Sequence, residues 1–156
     1  MSTEKTTFDP IISEVNNILK KNLSRNEKLF AICELLANEV NTFDWVGFYF
    51  TDPDGEKELV LGPYIGEPTD HTRIPFGRGI CGQVAVSHET FVSQNVHEED
   101  NYIACSMDVQ SEIVVPIMKG DEFIAQIDID SNTRSSITKE QRKLLEQIAE
   151  ILETEF

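Results

Sequence analysis

The order of hydrophobic patterns predicts an α+β fold, sandwich-like, with a central antiparallel sheet and flanking helices. Three observations carry this: helical periodicity at both ends of the chain, an aromatic and β-branched middle cut by turn residues, and two capping-box spacings that mark helix starts. Read in order, the elements are two helices, two strands, a short helix, three strands and a helix, which suggests an antiparallel sheet with helices on one side.

Asp9-Pro10 reads as an N-cap with proline at the first helical position, and Ile11, Ile12, Val15, Ile18 and Leu19 follow at helical spacing to about Asn22. Ser24 and Glu27 have the S-x-x-E spacing of a second start, and Leu29, Phe30, Ile32, Cys33, Leu36, Ala37 and Val40 form its apolar stripe. Cys33 on that stripe reads as a buried hydrophobe. From Trp45 to Phe50 the run is aromatic and β-branched, Asp52 to Gly55 has turn chemistry, and Glu58 to Leu61 is extended again, which predicts a hairpin. Trp45 and Tyr49, four apart, share a strand face and can form an aromatic wall; core packing is the plainer reading of the same pair.

Gly62-Pro63 and Gly66 to Pro68 read as loop punctuation, and Thr72 to Ile74 as a short extended piece. Gly77, Gly79 and Gly82 surround Cys81 and predict a tight turn into a short helix whose amino end carries the thiol, where exposed N–H groups favour a thiolate. GRGICG is not a phosphate loop, because it lacks the GK[ST] ending. Glu89 to Ser93 is a candidate strand, whereas 94–110 has no period and holds Cys105, and loops of that length are more often functional than mere connectors. Glu112 opens a buried-strand run to Ile117, Lys119 to Asp121 is a turn, and Phe123 to Ile129 is the return strand. Asp128 and Asp130, at i and i+2, lie on one face of it, either as solvated surface groups or as a pair presented to a pocket. Thr138 and Gln141 start a helix to about residue 154, with Leu144, Leu145, Ile148, Ile151 and Leu152 inward.

The 156 residues suit one domain over 1–156: helices about 9–41, sheet and site loops about 44–131, and a C-terminal helix about 138–154. A net charge of −15 without a Lys/Arg cluster argues against nucleic acid, and no apolar run suits a membrane. MSTEKTTFDP has no apolar secretory core, so cytoplasm is the expected location. Three cysteines, 48 and 24 residues apart, fit neither a disulfide framework nor a CxxC-type zinc pattern, so no metal is expected. What remains is a pair of loop thiols, an aromatic pair and up to three carboxylates, Glu112, Asp128 and Asp130. Two thiols in reach of each other permit sulfenic-acid and disulfide chemistry, while aromatic faces and carboxylates suit a small cationic or zwitterionic ligand.

Several motifs agree in order with one family. R-I-P-x-G-R-G-I-C-G ending at Gly82, I-A-C at Cys105, S-E-I-V-V-P from Ser111, D-I-D-S from Asp128, W-x-G-F-Y from Trp45 and L-V-L-G-P from Leu59 resemble the free methionine-(R)-sulfoxide reductases, which are single GAF domains. The resemblance spans about residues 40–135 and implies a GAF-like fold. It further implies Cys105 as nucleophile, Cys81 as the thiol that pairs with it, Glu112, Asp128 and Asp130 as pocket carboxylates, and Trp45 and Tyr49 as the pocket's aromatic wall. No bound cofactor is implied; thioredoxin or another thiol would be the reductant, free methionine sulfoxide the substrate, and a homodimer is compatible. Glu112 or Asp130 would protonate the sulfoxide oxygen. Two departures stand out. The family's further cysteine, ten residues before the glycine-turn one, is His71 here, which leaves resolution to Cys81 or to an external thiol, and the family's G-H before I-A-C is Asn101-Tyr102. The reading from another class is a non-catalytic GAF small-ligand sensor or binding module, and a weaker third is a peroxide-sensing thiol protein.

Overall fold

Helix α1 (Asp9–Leu19) begins at Asp9 itself, with Pro10 beside it in the first turn and Phe8 flanking without a side-chain cap. Asp9 therefore acts on the helix start through its charge, not as the cap. The helix closes earlier than Asn22, because the N–H groups of Lys20 and Lys21 turn back onto Asn17 and Ile18. In the computed structural model, residues 8–55, 57–99 and 108–156 are described. Ser24 caps α2 (Arg25–Glu39) as a full capping box: its hydroxyl accepts from Glu27 N at 3.2 Å, and its own N–H donates to Glu27 Oε1 at 3.0 Å. Phe30, expected on the buried stripe, is 41% exposed, whereas Leu29, Ile32, Cys33 and Leu36 are sealed.

Strands β1 (Trp45–Thr51), β2 (Glu58–Ile65), β3 (Arg73–Pro75), β4 (Phe91–Ser93), β5 (Ser111–Lys119) and β6 (Glu122–Ser131) form one antiparallel sheet in the order β3-β2-β1-β6-β5-β4. β2 runs through Gly62-Pro63, which the sequence suggests is loop. The register explains why: Gly47 pairs with Tyr64 and Tyr49 with Leu61, so Gly62 and Pro63 together oppose Phe48 in a bulge that tolerates a residue with no N–H. Pro116 is admitted on similar grounds, since β4 pairs only with Glu112 to Val114 and leaves that flank of β5 unpaired at Pro116.

Helices α1, α2 and α4 (Lys139–Leu152) cover one face, over Val46, Phe48, Ile113, Val115, Ile117, Ile127 and Ile129. Thr138 caps α4 in a capping box with Gln141, and the last turn, Glu153–Glu155, tightens to a 3-10 helix. The short helix α3 (Gly79–Ser87) does not join these three. It packs on the opposite face, where Ile80, Cys81, Val84 and Ala85 meet Trp45, Tyr49, Leu59, Val114 and Phe123. Gly82 permits that approach, because a Cβ there would lie 2.6 Å from Pro75 O. No helix among the described residues is long and apolar enough to cross a membrane.

Trp45, the only tryptophan, lies flat over Gly47: an added Cβ would come 2.5 Å from the ring and 2.8 Å from Tyr64 Cβ. Gly47→Ala should therefore displace the indole and cost about 1–3 kcal/mol, the usual range for overpacking. Urea unfolding followed by Trp45 fluorescence checks both effects, with a lower midpoint and a red-shifted native emission expected.

Candidate active site

The pleat of β6 separates two environments. Ile127 and Ile129 enter the core beneath the three long helices, while Gln126, Asp128 and Asp130 point to the opposite face, under α3. Cross-strand pairing then builds rows of side chains on that second face. One row runs Ser93, Glu112, Asp130, Trp45, and the next runs Phe91, Val114, Asp128, Gly47, Tyr64. Glu112, Asp128 and Asp130 are 4%, 0% and 1% exposed, so the solvated-surface reading of the aspartates is wrong. Alternation puts them on the face; α3 packs on it at Cys81, while Asp130 lies beside Trp45, Glu67, Asp108 and Val109.

Trp45 and Tyr49 share this face with ring centroids 6.4 Å apart, and Trp45 stacks on Tyr64 at 5.2 Å. Both polar tips tie down the loop between β2 and β3: Trp45 Nε1 donates to Glu67 O and Tyr49 Oη to His71 O, each at 2.9 Å. The aromatic pair thus packs the core and also fixes a loop beside the thiol.

Cys81 sits in the first turn of α3, as the glycine spacing predicts. Its Sγ donates to Asp128 Oδ2 at 3.2 Å, and its carbonyl accepts from Gln126 Nε2 at 3.1 Å. Cys81 Sγ and carboxylate oxygens of Glu112 and Asp128 all lie within 4.8 Å of one another, a constellation that can share protons or hold a cation. Burial pushes the Asp128 carboxyl above its ordinary value of 3.8, and its hydrogen bonds with Glu112 and Cys81 pull it only partly back. Cys33 is remote in role: its thiol is sealed among aliphatic side chains, near Pro63 O at 3.7 Å, and burial pushes its ionisation well up.

Four of the expected site residues, Cys81, Glu112, Trp45 and Asp130, border two cavities. One, of about 10 Å³, is lined by His71, Ile74, Arg78, Gly79, Ile80, Cys81 and Glu112 and has room for about one water. The other, of about 270 Å³, is lined by Asp44, Trp45, Glu67, Asp108, Val109, Asp130 and Asn132. Cys105 lies outside the described residues, as do Asn101 and Tyr102. Gln126 shares the face and holds the Cys81 carbonyl, a placement the sequence reading missed; extending the period-2 pattern back from Asp128 identifies it. Tyr64 was missed because its strand reads as a loop beyond Leu61.

The GAF domain family model matches residues 24–156. GAF domain-containing protein A of Dictyostelium discoideum is 32% identical over 151 residues, covering 97% of this chain and 93% of that protein. The free methionine-R-sulfoxide reductase of Escherichia coli is 36% identical over 119 residues, covering 76% and 70% respectively. The structure of a free methionine-R-sulfoxide reductase from Neisseria meningitidis in complex with its substrate superposes with a TM-score of 0.89 at 31% identity, covering 100% of this chain and 91% of that one.

Because Asp128 has a raised ionisation in the folded chain, its contribution to stability is whole below 3.8 and is lost as pH climbs through the raised value. Asp128→Asn has no such proton to lose. Its stability relative to the parent should therefore rise with pH, read from urea midpoints between roughly pH 4 and 8. A difference that stays constant over that range would mean that Asp128 is already ionised in the fold.

Proposed function

The chain belongs to the GAF domain family and, within it, to the free methionine-R-sulfoxide reductases, and on that premise we propose that it reduces free L-methionine-(R)-sulfoxide to L-methionine as one domain, using thiols. The observation that supports this most is the contact of Cys81 Sγ with Asp128 Oδ2 at 3.2 Å on a face that also buries Glu112, Asp130 and Trp45. A binding module has no need of a sealed thiol between acids.

In the proposed cycle the Cys105 thiolate attacks the sulfoxide sulfur, and a carboxyl proton from Glu112 or Asp130 goes to the oxygen. The hydroxyl then passes from the substrate sulfur to the Cys105 sulfur: the substrate S–O bond and the newly formed S–S bond break as a Cys105 S–O bond forms, methionine leaves with its sulfur electron pair restored, and Cys105 remains as a sulfenic acid. Cys81 next attacks the Cys105 sulfur. Its proton passes to Asp128, whose oxygen already accepts from that thiol, and hydroxide takes a proton and departs as water. A thioredoxin-like dithiol returns the disulfide to two thiols. With His71 at the family's further cysteine position, Cys81 is the resolver this scheme uses. The ammonium of a free amino acid answers the carboxylates, and the aromatic pair borders the methyl-sulfur end. Such an activity, in the cytoplasm, would serve defence against oxidative stress.

Purified protein should turn over free L-methionine-(R)-sulfoxide with dithiothreitol or thioredoxin, and neither the S epimer nor a peptide-bound sulfoxide. Tight ligand binding with no turnover under any reductant would leave the sensor reading in its place. Cys105→Ser should abolish activity and Cys33→Ser should retain it; equal loss in both would move the chemistry elsewhere. After a single turnover without reductant, peptide mass spectrometry should find Cys81 joined to Cys105, whereas a lone sulfenic acid on Cys105 would assign resolution to an external thiol.

A further inference from the structure

We propose that Cys81, Glu112 and Asp128 form a binding site for a thiophilic divalent cation of the zinc type. Local spacing conceals such a site, since its ligands come from the first turn of α3, from β5 and from β6 and meet only through sheet register. Their donor atoms lie within 4.8 Å of one another, and one pair, Cys81 Sγ and Asp128 Oδ2, is 3.2 Å apart. Zinc bonds of about 2.0–2.3 Å put tetrahedral ligand atoms about 3.3–3.7 Å apart, so a side-chain adjustment of roughly 1 Å closes the set.

A second observation points to a ligand. Asp128 Oδ1, fully buried, has no hydrogen-bond partner among the described residues, and neither does Gln126 Oε1, two residues along the same face. Buried acceptors left in this way are costly and are normally satisfied. A cation on the cluster answers Asp128 directly. One sulfur and two carboxylate oxygens suit zinc or cadmium, whereas magnesium and calcium do not take thiolate. Three protein ligands leave a fourth position, and Cys81 and Glu112 both border the small cavity beside His71. Binding replaces the Cys81 thiol proton, and any proton held by the carboxyls, with the metal; the protons go to solvent and no electron changes hands.

A metal on Cys81 Sγ withholds that sulfur from disulfide formation, so zinc should inhibit recycling; this consequence alone rests on the reductase reading. The site itself is tested without substrate. Isothermal titration of the reduced full chain with zinc chloride should give one site whose affinity falls at least ten-fold in both Cys81→Ser and Asp128→Asn and is unchanged in Cys33→Ser. Cobalt chloride added to the wild-type chain should produce a thiolate-to-cobalt charge-transfer band that zinc abolishes, a readout independent of how the variants fold. No one-to-one site on the wild-type chain, or a site that survives both Cys81→Ser and Asp128→Asn, overturns the proposal. Loss of turnover in the reductase assay would not touch it.

Discussion

The pleat of β6 places an apolar and an ionisable environment on adjacent residues. Ile127 and Ile129 anchor the core under three helices, and Asp128 and Asp130, one residue out of phase, are buried on the other side. A register slip of one residue would exchange the two sets, driving carboxylates into the aliphatic core and isoleucines under α3. Pairing with β1 and β5 on both sides fixes the phase. The aliphatic core thus stabilises the fold and also holds the acids where they are.

Burying several acids around one thiol has an electrostatic cost that sheet geometry does not remove. Removing one carboxylate charge from water is expensive, and neighbouring charges of like sign add to it. The raised ionisation of Asp128 is the local response: burial makes its carboxylate a stronger base than a solvated one. The remaining burden falls on specific contacts, in which Asp128 accepts from Cys81 and the loop between β2 and β3 is held over the face by Trp45 and Tyr49. Stability and the proposed chemistry therefore draw on the same few groups. A substitution that relieves the first should blunt the second.

Much of this was legible in the sequence for identifiable reasons. Both capping boxes are local chemistry of four residues, and Ser24 and Thr138 make the bonds their spacing announces. The Ile-Asp alternation is a period-2 signal, and it assigned the aspartates correctly to one face. What it could not supply was burial, because whether a face is covered depends on α3, which comes from a distant part of the chain. The side taken by α3 was illegible for a similar reason: the glycines allow the close approach without stating its direction. Reading Gly62-Pro63 as a loop failed because turn residues and bulge residues are the same residues, distinguished only by a partner strand. Motif resemblance singled out Glu112, Asp128 and Asp130 together, and sheet register brings the three to one buried face; a motif carries the outcome of tertiary packing in a pattern of residues. The role it gives Cys105 still falls outside the described residues.

A face with a thiol and three carboxyls has a small set of admissible occupants. Protons satisfy it at low pH, a soft divalent cation satisfies its donor atoms, and the ammonium of a free amino acid satisfies its charge. All three supply positive charge to the same groups, so each should oppose the others by simple linkage. On that view selectivity for a free amino acid needs no separate steric device. A peptide-bound residue carries a neutral amide where the free one carries an ammonium, and it would leave the buried acids without a counter-charge. On the reductase proposal, the cluster that makes the fold costly would then also reject the peptide-bound form of the substrate.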